Sequence, residues 1–580
     1  MSLIKGFIRL YCLINLIFCA SAFADNSQLN ENKPNVLFII VDDLNDYLGA
    51  FGGHPQSKTP NIDALAAQSV QFTNAQTNAP VCQSSRNSLF TGVYPHQSKD
   101  FGWTPLTKQH VLKHNKTFLQ LFRENGYQML GTGKLLHKNQ KKLWHEWGVP
   151  ERINYGPHAF NGYKIVGHPS VPEPFRSINI VDGSFAPLTD VPTFDLNSSL
   201  SSTDKVKHAP GWGYPHKPFN YIDEDNRDRL PDEQHAIWAS HKLKALANIK
   251  SKQPFFMGVG FVRPHTPLYA PKRFFELFPL ETIQLPTIKK NDLEDSFFKD
   301  NYPMTQMGLA YFKALQDSYE DDDEGLKKVI QAYLACIAFM DEQVGVVLDT
   351  LNNSSLKDNT IVVFTSDHGW QFGEKDYLYK NSPWEESAKI PMLWKVPGKS
   401  EEKLKVQQPV SLIDLYPTFI ELANLQGTNV KSKGAATLGG HSLVPLLTSR
   451  AISSATSRVT SKATSKNNTK NATQWQGPKG ALTVMGVGID TPIEGLAFGT
   501  NKQALWHVKV IKDLPDEYIW QQTYSYRTQN WRYIRYKDGQ EELYDHQSDP
   551  YEWHNLALHK KYQTIKTDLF KQMSEIIEHR

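Results

Sequence analysis

The chain has 580 residues, a length that predicts one large core with a smaller unit beside it, because single cores stop growing at roughly 250–300 residues. Its 63 Lys and Arg nearly balance its 60 Asp and Glu, so charge gives no reason to expect a nucleic-acid partner. Only four cysteines are present, which excludes a fold held together by a framework of disulfides.

The first 24 residues have the pattern of a secretory signal peptide. Lys5 and Arg9 supply positive charge, an apolar run follows, and a small-x-small cleavage site ends at Ala24. The run is too short to span a bilayer, and bulky Phe18 argues against a lipid anchor at Cys19. We expect cleavage after Ala24, a periplasmic or secreted protein, and no stable membrane association.

Four short apolar segments predict fully buried strands, because each is rich in β-branched or aromatic residues and bounded by Pro, Gly, Asn or Asp. They are residues 35–41, 127–133, 254–261 and 360–366. Amphipathic patterns between them predict helices, at 60–70, 116–126 and 326–351. Strands that alternate with helices favour an α/β fold, with a large and mostly parallel central sheet flanked by helices.

The C-terminal part has a different composition. Residues 446–478 include a Ser/Thr/Lys-rich tract with few large apolar side chains, which predicts a flexible insertion. Residues 525–557 predict two strands joined by an Asp-Gly turn, and a helical pattern closes the chain. We therefore expect a signal peptide at 1–24, a large α/β domain at 25–445, the insertion, and a smaller subdomain of antiparallel sheet plus helix at 479–580.

Charged side chains follow each predicted buried strand. Ligands of open α/β sheets bind beyond the carboxyl ends of the strands, so four separate segments can deliver these side chains to one place. Taken singly, each has a simpler explanation as a solvated turn, a helix cap or a surface residue, and the argument depends on their convergence. The residues are Asp42 and Asp43 after the first strand, Lys134 and His137 after the second, His265 after the third, and Asp367, His368 and then Lys380 after the fourth.

The acidic residues among these predict a metal site. Adjacent carboxylates repel unless a cation neutralises them, so Asp42 and Asp43 favour a hard-cation site over a solvated turn. Asp367 and His368 repeat the arrangement after a second strand. Carboxylate oxygens favour Ca²⁺ or Mg²⁺, whereas His368 is a less usual ligand for either ion, so this pattern leaves the metal's identity open.

Two cysteines remain after removal of the signal peptide. Cys336 lies in an amphipathic helical pattern and is expected to be a core residue. Cys82 lies at the N-terminus of a short helix that is predicted to open near Ser84 or Ser85, to hold Arg86 and to end at Gly92. A helix N-terminus favours anionic oxygens, and Arg86 adds a planar cationic fork. These surroundings favour a nucleophile that faces an anionic substrate, the alternative being a small packing residue.

Cys82-x-x-x-Arg86 followed by "SLFTG" resembles the signature of the formylglycine-dependent sulfatases of the alkaline-phosphatase superfamily. The segments NVLFIIVDDLN, KTPNIDALAAQS, GTGKLLH, RPHTP and SDHGWQFGEKDYLYK resemble that family's other motifs, in its order. The likeness covers about residues 34–445 and is greatest to the iduronate-2-sulfatase branch and its bacterial polysaccharide-acting relatives. One departure is Ser84, because the family usually has Pro or Ala two places after the cysteine.

The resemblance implies an alkaline-phosphatase-like fold and a matured nucleophile. A formylglycine-generating or sulfatase-maturating enzyme would be a partner, oxidising Cys82 to Cα-formylglycine, whose hydrated aldehyde attacks the sulfate ester. Asp42, Asp43, Asp367 and His368 would bind Ca²⁺, in preference to Mg²⁺, together with an oxygen of the matured residue 82.

The resemblance also assigns the remaining polar residues. Arg86 and Lys134 would steady the hydrate, and His137 would act on its second hydroxyl. His265 and Lys380, with Lys134, would bind the sulfate ester and serve its leaving oxygen. An aldehyde is needed because the hydrate's second hydroxyl can collapse to release sulfate, which a serine or a cysteine cannot do.

The implied substrate is a sulfated carbohydrate, of the ulvan, carrageenan or glycosaminoglycan type. Sugars stack on exposed aromatic rings, and Trp370, which directly follows the predicted metal motif, is the expected stacking residue. Other aromatic residues near the expected mouth are Trp103, Trp212, Tyr214 and Trp384. The sugar, the sulfate position and the oligomeric state are not specified by the sequence.

Two other functions are compatible with the same pattern. One is a phosphodiesterase or phosphonate monoester hydrolase of the same superfamily, which the metal scaffold would also support. The other is a non-catalytic carbohydrate-binding relative in which Cys82 stays unmodified.

Overall fold

The structure is a computed structural model. It describes residues 33–102, 104–192, 209–249, 253–302, 304, 306–448, 474–486 and 516–578. The predicted signal peptide, Trp103 and most of the predicted insertion lie outside the described residues. No helix in the described ranges is both long enough and apolar enough to cross a membrane.

The strands of the described residues are numbered here in chain order. They are β1 Asn35–Val41, β2 Val70–Gln76, β3 Gln128–Gly133, β4 Glu146–Trp147, β5 His158–Phe160, β6 Phe185–Pro187, β7 Gly211–Tyr214, β8 Lys217–Pro218, β9 Phe255–Phe261, β10 Leu268–Ala270, β11 Thr360–Ser366, β12 Gln371–Phe372, β13 Leu378–Tyr379, β14 Lys389–Lys395, β15 Lys405–Val406, β16 Val410–Ser411, β17 Ala481–Met485, β18 Thr523–Arg527, β19 Trp531–Arg535 and β20 Glu541–Asp545.

The α-helices are numbered in the same way. They are α1 Pro60–Ala66, α2 Cys82–Thr91, α3 Pro95–Ser98, α4 Phe118–Glu124, α5 Phe175–Ile178, α6 Pro231–Asn248, α7 Lys272–Phe275, α8 Phe298–Asn301, α9 Met307–Asp317, α10 Asp322–Asn352, α11 Glu385–Ala388, α12 Leu415–Leu422 and α13 Gln563–Glu578.

One large sheet forms the centre of the molecule. Its strand order is β15-β2-β14-β11-β1-β9-β3-β4, and β16 also pairs with β2. The four strands β11, β1, β9 and β3 lie side by side and parallel, whereas β14 runs antiparallel to both of its neighbours. This architecture confirms the predicted α/β fold with a mostly parallel sheet.

The pairing register places the carboxyl ends of these four strands at one edge. Val41 of β1 pairs with Ser366 of β11 and with Phe261 of β9, so the three strands end level. Gly133 ends β3 with a φ of 79°, and an added Cβ there would meet the Gly260 carbonyl oxygen. Glycine is therefore required where β3 leaves the sheet beside β9.

Helices cover both faces of the sheet, as β1 illustrates. Leu37, Ile39 and Val41 pack into the core on the side of α6 and α10. Val36, Phe38 and Ile40 pack on the other side, where α4 and α12 lie. A strand buried on both faces explains why its sequence is continuously apolar rather than alternating.

The four predicted buried strands match the observed ones to within one residue, but the bounds of all three predicted helices differ, and the one predicted over 326–351 spans Asp322–Asn352. The prediction of a helix over 60–70 is wrong at its end, because the helix stops at Ala66 and Val70 begins β2, which pairs with β14. The predicted helix at 116–126 begins at Phe118, because the Thr117 side chain accepts a hydrogen bond from the Gln120 backbone N–H and caps it.

In its described residues, the C-terminal subdomain has the predicted antiparallel sheet and the predicted closing helix. Strands β17, β18, β19 and β20 pair in that order. Leu569, Met573 and Ile577 of α13 share a buried core with residues of this sheet. That core also contains Tyr94 and Ile413 of the large domain, so the two parts pack closely.

Candidate active site

The polar side chains predicted to converge lie together beyond the carboxyl ends of β11, β1, β9 and β3. Adjacent parallel strands that end level deliver the residues that follow them to a single place. Most of these side chains are almost completely buried, whereas His265 is 9% exposed and His137 is partly exposed. The group consists of Asp42, Asp43, Cys82, Arg86, Lys134, His137, His265, Asp367, His368 and Lys380.

Cys82 is the first residue of α2 and lies at the centre of this group. Its Sγ is 3.2 Å from Lys380 Nζ, 3.3 Å from His368 Nε2 and 3.7 Å from Asp43 Oδ1. All ten residues of α2 are buried, so the helix is held on every side. Burial raises the pKa of the Cys82 thiol, although the positive charges of Lys134 and Lys380 oppose this shift.

Arg86, one turn further along α2, links three strand ends. Its Nη2 is 2.9 Å from Asp42 Oδ1 and its Nε is 2.9 Å from Asp367 Oδ2. Its Nη1 donates to the carbonyl oxygens of Lys134 and Leu135, at 2.6 and 2.7 Å. Burial alone would lower the pKa of Arg86, but Asp367 and Asp42 raise it, so the guanidinium is a fixed positive charge.

Two buried lysines add further positive charge. Lys134 Nζ forms an ion pair with Asp42, and Lys380 Nζ lies 2.8 Å from both carboxylate oxygens of Asp43. Burial would lower the pKa of each ammonium, but Asp42 raises that of Lys134 and Asp43 raises that of Lys380. Together with Arg86, they place three cations around the Cys82 side chain, a suitable setting for an anion.

The carboxylates differ in their electrostatic surroundings. Burial would raise the pKa of Asp42, but Lys134 and Arg86 lower it well below its ordinary value. The pKa of Asp43 is raised well above its ordinary value by burial, which Lys380 offsets only in part. A divalent cation beside Asp43 would favour the ionised carboxylate.

The donor atoms fit a divalent cation. One oxygen, sulfur or nitrogen atom from each of Asp43, Cys82, Asp367 and His368 lies within 4.8 Å of the others, and a second such group joins Asp42 and His265 to Asp43 and Cys82. His368 Nδ1 is 3.1 Å from the Gly369 carbonyl oxygen, which can only accept, so Nδ1 carries the proton. The Nε2 lone pair of His368 therefore faces the carboxylates, as a metal ligand requires.

The remaining histidines lie on the open side of the group. His265 Nε2 is 3.8 Å from Asp43 Oδ2 and 4.0 Å from Asp42 Oδ2, and its Nδ1 is 2.7 Å from the Thr266 carbonyl oxygen. Burial and the charge of Lys380 lower the pKa of His265 well below its ordinary value. Burial and the charge of Lys134 lower the pKa of His137 to about 3. Both imidazoles are therefore neutral near pH 7.

Trp370 lies behind Lys380, where it packs rather than facing the solvent. It is 3% exposed, its ring centroid is 5.8 Å from Lys380 Nζ, and it contacts Tyr379 edge-on at 4.6 Å. The structure therefore does not bring Trp370 to a surface open to sugars, and stacking on it remains a prediction. Three other aromatic residues named for the mouth are also buried, namely Trp212, Tyr214 and Trp384.

Tyr155 belongs to the site but carried no sequence signal. It follows the 3₁₀ turn Glu151–Ile153, is half-buried, and its ring centroid lies 4.9 Å from that of His265. Lys134 Nζ is 5.1 Å from the same ring. Nothing in the local pattern predicts this placement, because Tyr155 is brought to the site by tertiary packing of a long connection.

Backbone support for the strand ends was also not predicted. The hydroxyls of Thr77 and Ser85 both donate to the Asp367 carbonyl oxygen at 2.6 Å, and the Tyr333 hydroxyl donates to the Asp43 carbonyl oxygen at 2.7 Å. Hydroxyl residues of this kind are common in any sequence and give no signal of their own. These hydrogen bonds hold the two turns that carry Asp43 and Asp367 in fixed positions.

Fold and site together define an anion-binding centre at the carboxyl edge of an α/β sheet, built around a residue at a helix N-terminus. A family model described as Sulfatase matches residues 34–425. The chain is 30% identical over 560 residues to a sulfatase of Formosa agariphila, covering 95% of this chain and 88% of the relative. The chain thus belongs to the sulfatase family and is a sulfuric ester hydrolase.

Other similarities agree with this family. The chain is 28% identical over 456 residues to the human iduronate 2-sulfatase, covering 73% of this chain and 74% of that protein. A phosphonate monoester hydrolase of Agrobacterium radiobacter has the same fold, with a TM-score of 0.60 at 18% identity over 94% of this chain and 95% of its own. A protein solved with its substrate D-glucosamine-2-N,6-O-disulfate also has this fold. Its TM-score is 0.58 at 17% identity, and the match covers 94% of this chain and 98% of that protein.

Proposed function

We propose that the chain is an exported sulfatase that removes sulfate esters from a sulfated polysaccharide or oligosaccharide, of the ulvan, carrageenan or glycosaminoglycan type. The observation that carries this proposal is the contact of Cys82 with Asp43, His368 and Lys380 at the helix N-terminus. A relative named for iduronate and a structural neighbour bound to a sulfated glucosamine support the carbohydrate substrate. The signal-like residues 1–24 support export.

The site has the residues needed for the two groups that the family uses. We infer that Cys82 is matured to Cα-formylglycine and that Asp42, Asp43, Asp367 and His368 hold Ca²⁺. When present, the aldehyde hydrate supplies the nucleophilic hydroxyl and the ion supplies Lewis-acid stabilisation of negative charge. Because α2 is buried throughout, the maturation enzyme is expected to act on the chain before it folds.

The chain's own cations bind and orient the sulfate group. Lys134 and Lys380 approach the site from opposite sides, one paired with Asp42 and the other with Asp43. Their ammonium groups can exchange these contacts for sulfuryl oxygens, which carry more negative charge in the transition state. Arg86 stays bound to the carboxylates and to two backbone carbonyls, so its role is to fix the position of α2.

The two neutral histidines are placed to move protons. The Thr266 carbonyl fixes the His265 tautomer with the proton on Nδ1, which leaves Nε2 free of that proton on the side of Asp42 and Asp43. His265 is therefore the group expected to protonate the leaving sugar oxygen, after it has taken up a proton at Nε2. His137, on the partly exposed side, is expected to accept a proton from the matured residue 82.

Turnover of a simple aryl sulfate tests the proposal. The chain co-expressed with a sulfatase-maturating enzyme should hydrolyse 4-nitrophenyl sulfate in the presence of Ca²⁺, and the Cys82→Ala variant should be inactive. Bis(4-nitrophenyl) phosphate tests the phosphodiesterase alternative with the same preparations. Hydrolysis of the phosphate diester without any aryl sulfate turnover would overturn the assignment, as would full aryl sulfatase activity in Cys82→Ala.

A further inference from the structure

A short turn runs from the active site to the protein surface. Around the 3₁₀ segment Glu151–Ile153, the Asn154 N–H donates to the Glu151 carbonyl at 3.0 Å and the Gly156 N–H donates to the Ile153 carbonyl at 3.0 Å. In this i→i+3 pattern, residues three apart lie on the same edge, about 6 Å apart along the axis. Tyr155 contacts His265, and Arg152, four residues before Gly156 in the same turn, is exposed.

The β7–β8 hairpin packs against this turn. The Tyr214 ring of β7 lies so close to Gly156 that an added Cβ would come within 2.3 Å of it. His216 and Lys217 follow at the hairpin's turn, and Lys217 Nζ lies 5.4 Å from the centroid of the Tyr214 ring. The contact between Tyr214 and Gly156 thus places the hairpin's two basic residues beside the turn that carries Arg152.

Arg152, His216 and Lys217 form a group of basic residues without an acidic partner among the residues that the structure describes. A slight loss of hydration, together with the positive charges of Arg152 and Lys217, lowers the pKa of His216. None of the ion pairs found among the described residues includes any of the three. The acids on the far side of Tyr214 are engaged: Asp228 accepts the Asn220 N–H, and Glu233 pairs with Arg227.

We propose that Arg152, His216 and Lys217, termed here the basic rim, bind a second acidic group of the substrate. That group is a sulfate or carboxylate on the sugar residue next to the one that loses its sulfate. This inference rests on the proposed sulfatase function and adds a recognition site to it. The rim would select polyanionic carbohydrates over substrates that carry a single sulfate.

Charge and geometry together support this role. The side chains that surround Cys82 are almost completely buried, so an acidic group on a neighbouring sugar would be met outside this buried group. The Arg152 guanidinium has the planar fork that matches a sulfate or a carboxylate, and the flexible Lys217 supplies a point charge. Clustered cations without a local acid are repelled by one another, and a bound anion would relieve that repulsion.

Competition by a polyanion tests the rim without knowledge of the natural substrate. Hydrolysis of 4-nitrophenyl sulfate, which has only one acidic group, is measured in low salt with increasing amounts of a short dextran sulfate. In the double variant Arg152→Ala/Lys217→Ala, the inhibition constant for dextran sulfate should rise about tenfold, because each exposed ion pair contributes modestly. The kcat/KM for 4-nitrophenyl sulfate should change less than about twofold, and high salt should remove the difference in inhibition.

A matched control removes the same charge elsewhere. Lys560→Ala/Lys561→Ala lies in the C-terminal subdomain, where both residues are exposed and Lys561 lies over the Tyr562 ring much as Lys217 lies over that of Tyr214. This variant should be inhibited like the wild type. Inhibition constants that are unchanged in the rim variant, or that rise equally in the control, would overturn the proposal, as would an equal loss of aryl sulfate turnover.

A negative result for anion binding by the basic rim can be distinguished from a negative result for the proposed sulfatase function. If the wild type hydrolyses no sulfate ester, the proposed function fails, and calorimetric binding of dextran sulfate to the same three proteins still tests the rim. Weaker binding in the rim variant alone would then support an anion-binding surface. Equal binding by all three proteins would reject it.

Discussion

Replacement of Arg532 by methionine should loosen the junction between the C-terminal sheet and the active-site segment. Arg532 lies on β19 and is fully buried; its Nε is 2.5 Å from Glu552 Oε1, and its Nη2 forms an ion pair with Glu385. Its Nη1 donates to the Pro383 carbonyl oxygen at 3.2 Å. Pro383 and Glu385 follow shortly after Lys380, so one side chain ties the subdomain to the segment that carries the proposed sulfate-binding residue.

The magnitude follows from what the substitution leaves behind. Removing one partner of a buried ion pair costs about 3–5 kcal/mol, since a buried charge loses its compensation. Glu385 keeps Arg527 at 3.0 Å and Glu552 keeps His546 at 2.8 Å, which argues for the low end, about 3 kcal/mol. With an unfolding entropy of about 2.1 cal/mol/K per residue, a chain this long would lose only about 3 °C in Tm.

Hydrogen exchange is the more sensitive assay, because it reports local opening. A loss of 3 kcal/mol in the stability of the subdomain corresponds to exchange about 10²-fold faster for amides of β18, β19 and β20. Arg535→Met on the same strand is the control, as its guanidinium donates only to the Trp520 and Tyr536 carbonyl oxygens. Amide exchange in the Arg535→Met variant should become faster by about tenfold or less.

Amide exchange in Arg532→Met, compared with that in Arg535→Met, tests whether the buried ion network joins the two parts of the molecule. If Arg532→Met exchanges no faster than Arg535→Met, the buried ion network does not join the subdomain to the large domain. If exchange rises but sulfate ester turnover is unchanged, the network does not position Lys380. We predict that in Arg532→Met amide exchange becomes faster and sulfate ester turnover falls.

Three further predictions concern other parts of the molecule. Burial raises the pKa of Asp100 to about 7, against a hydrogen bond from Asn87, so the folded state binds the proton more tightly and stability falls as pH rises from about 4 to 7. Urea unfolding of Asp100→Asn should lack this slope, and an unchanged slope would contradict the shift. Cys336→Ala should keep full turnover, because Cys336 is buried in α10 away from the site, and loss of turnover would assign it a role that we do not. Chelation with EDTA should abolish turnover, and Ca²⁺ at about 100 times its Kd should raise the stability by about 2.7 kcal/mol; an equal rise in Asp43→Asn would reject the proposed ligands.

The sequence was sufficient to predict the centre of the fold, for a physical reason. Strands such as β1 and β11 are buried on both faces, so their continuous apolar runs and their polar ends are local signals. Because Asp42 and Asp367 directly follow the ends of these strands, they were predicted to lie at one edge of the sheet. Strand β2 gave no comparable signal, because it mixes polar with apolar residues and depends on its pairing with the antiparallel β14.

Residues that reach the site by tertiary packing could not be predicted. Tyr155, Arg152 and Lys217 lie on connections between strands, where position depends on contacts such as that of Tyr214 with Gly156. Trp370 is a different case, since its nearness to a motif suggested a sugar-stacking role that stays a prediction. Its burial beside Tyr379 depends on side-chain direction, which spacing in the sequence does not give.

The central claim is that residue 82 works as an aldehyde held among the carboxylates and cations of the site. Mass spectrometry of the peptide containing residue 82, from protein made with and without the maturation enzyme, tests it most directly. We predict a peptide in which one oxygen replaces one sulfur and two hydrogens, with 4-nitrophenyl sulfate turnover proportional to the fraction converted. Full turnover by protein in which residue 82 is entirely thiol would contradict the account.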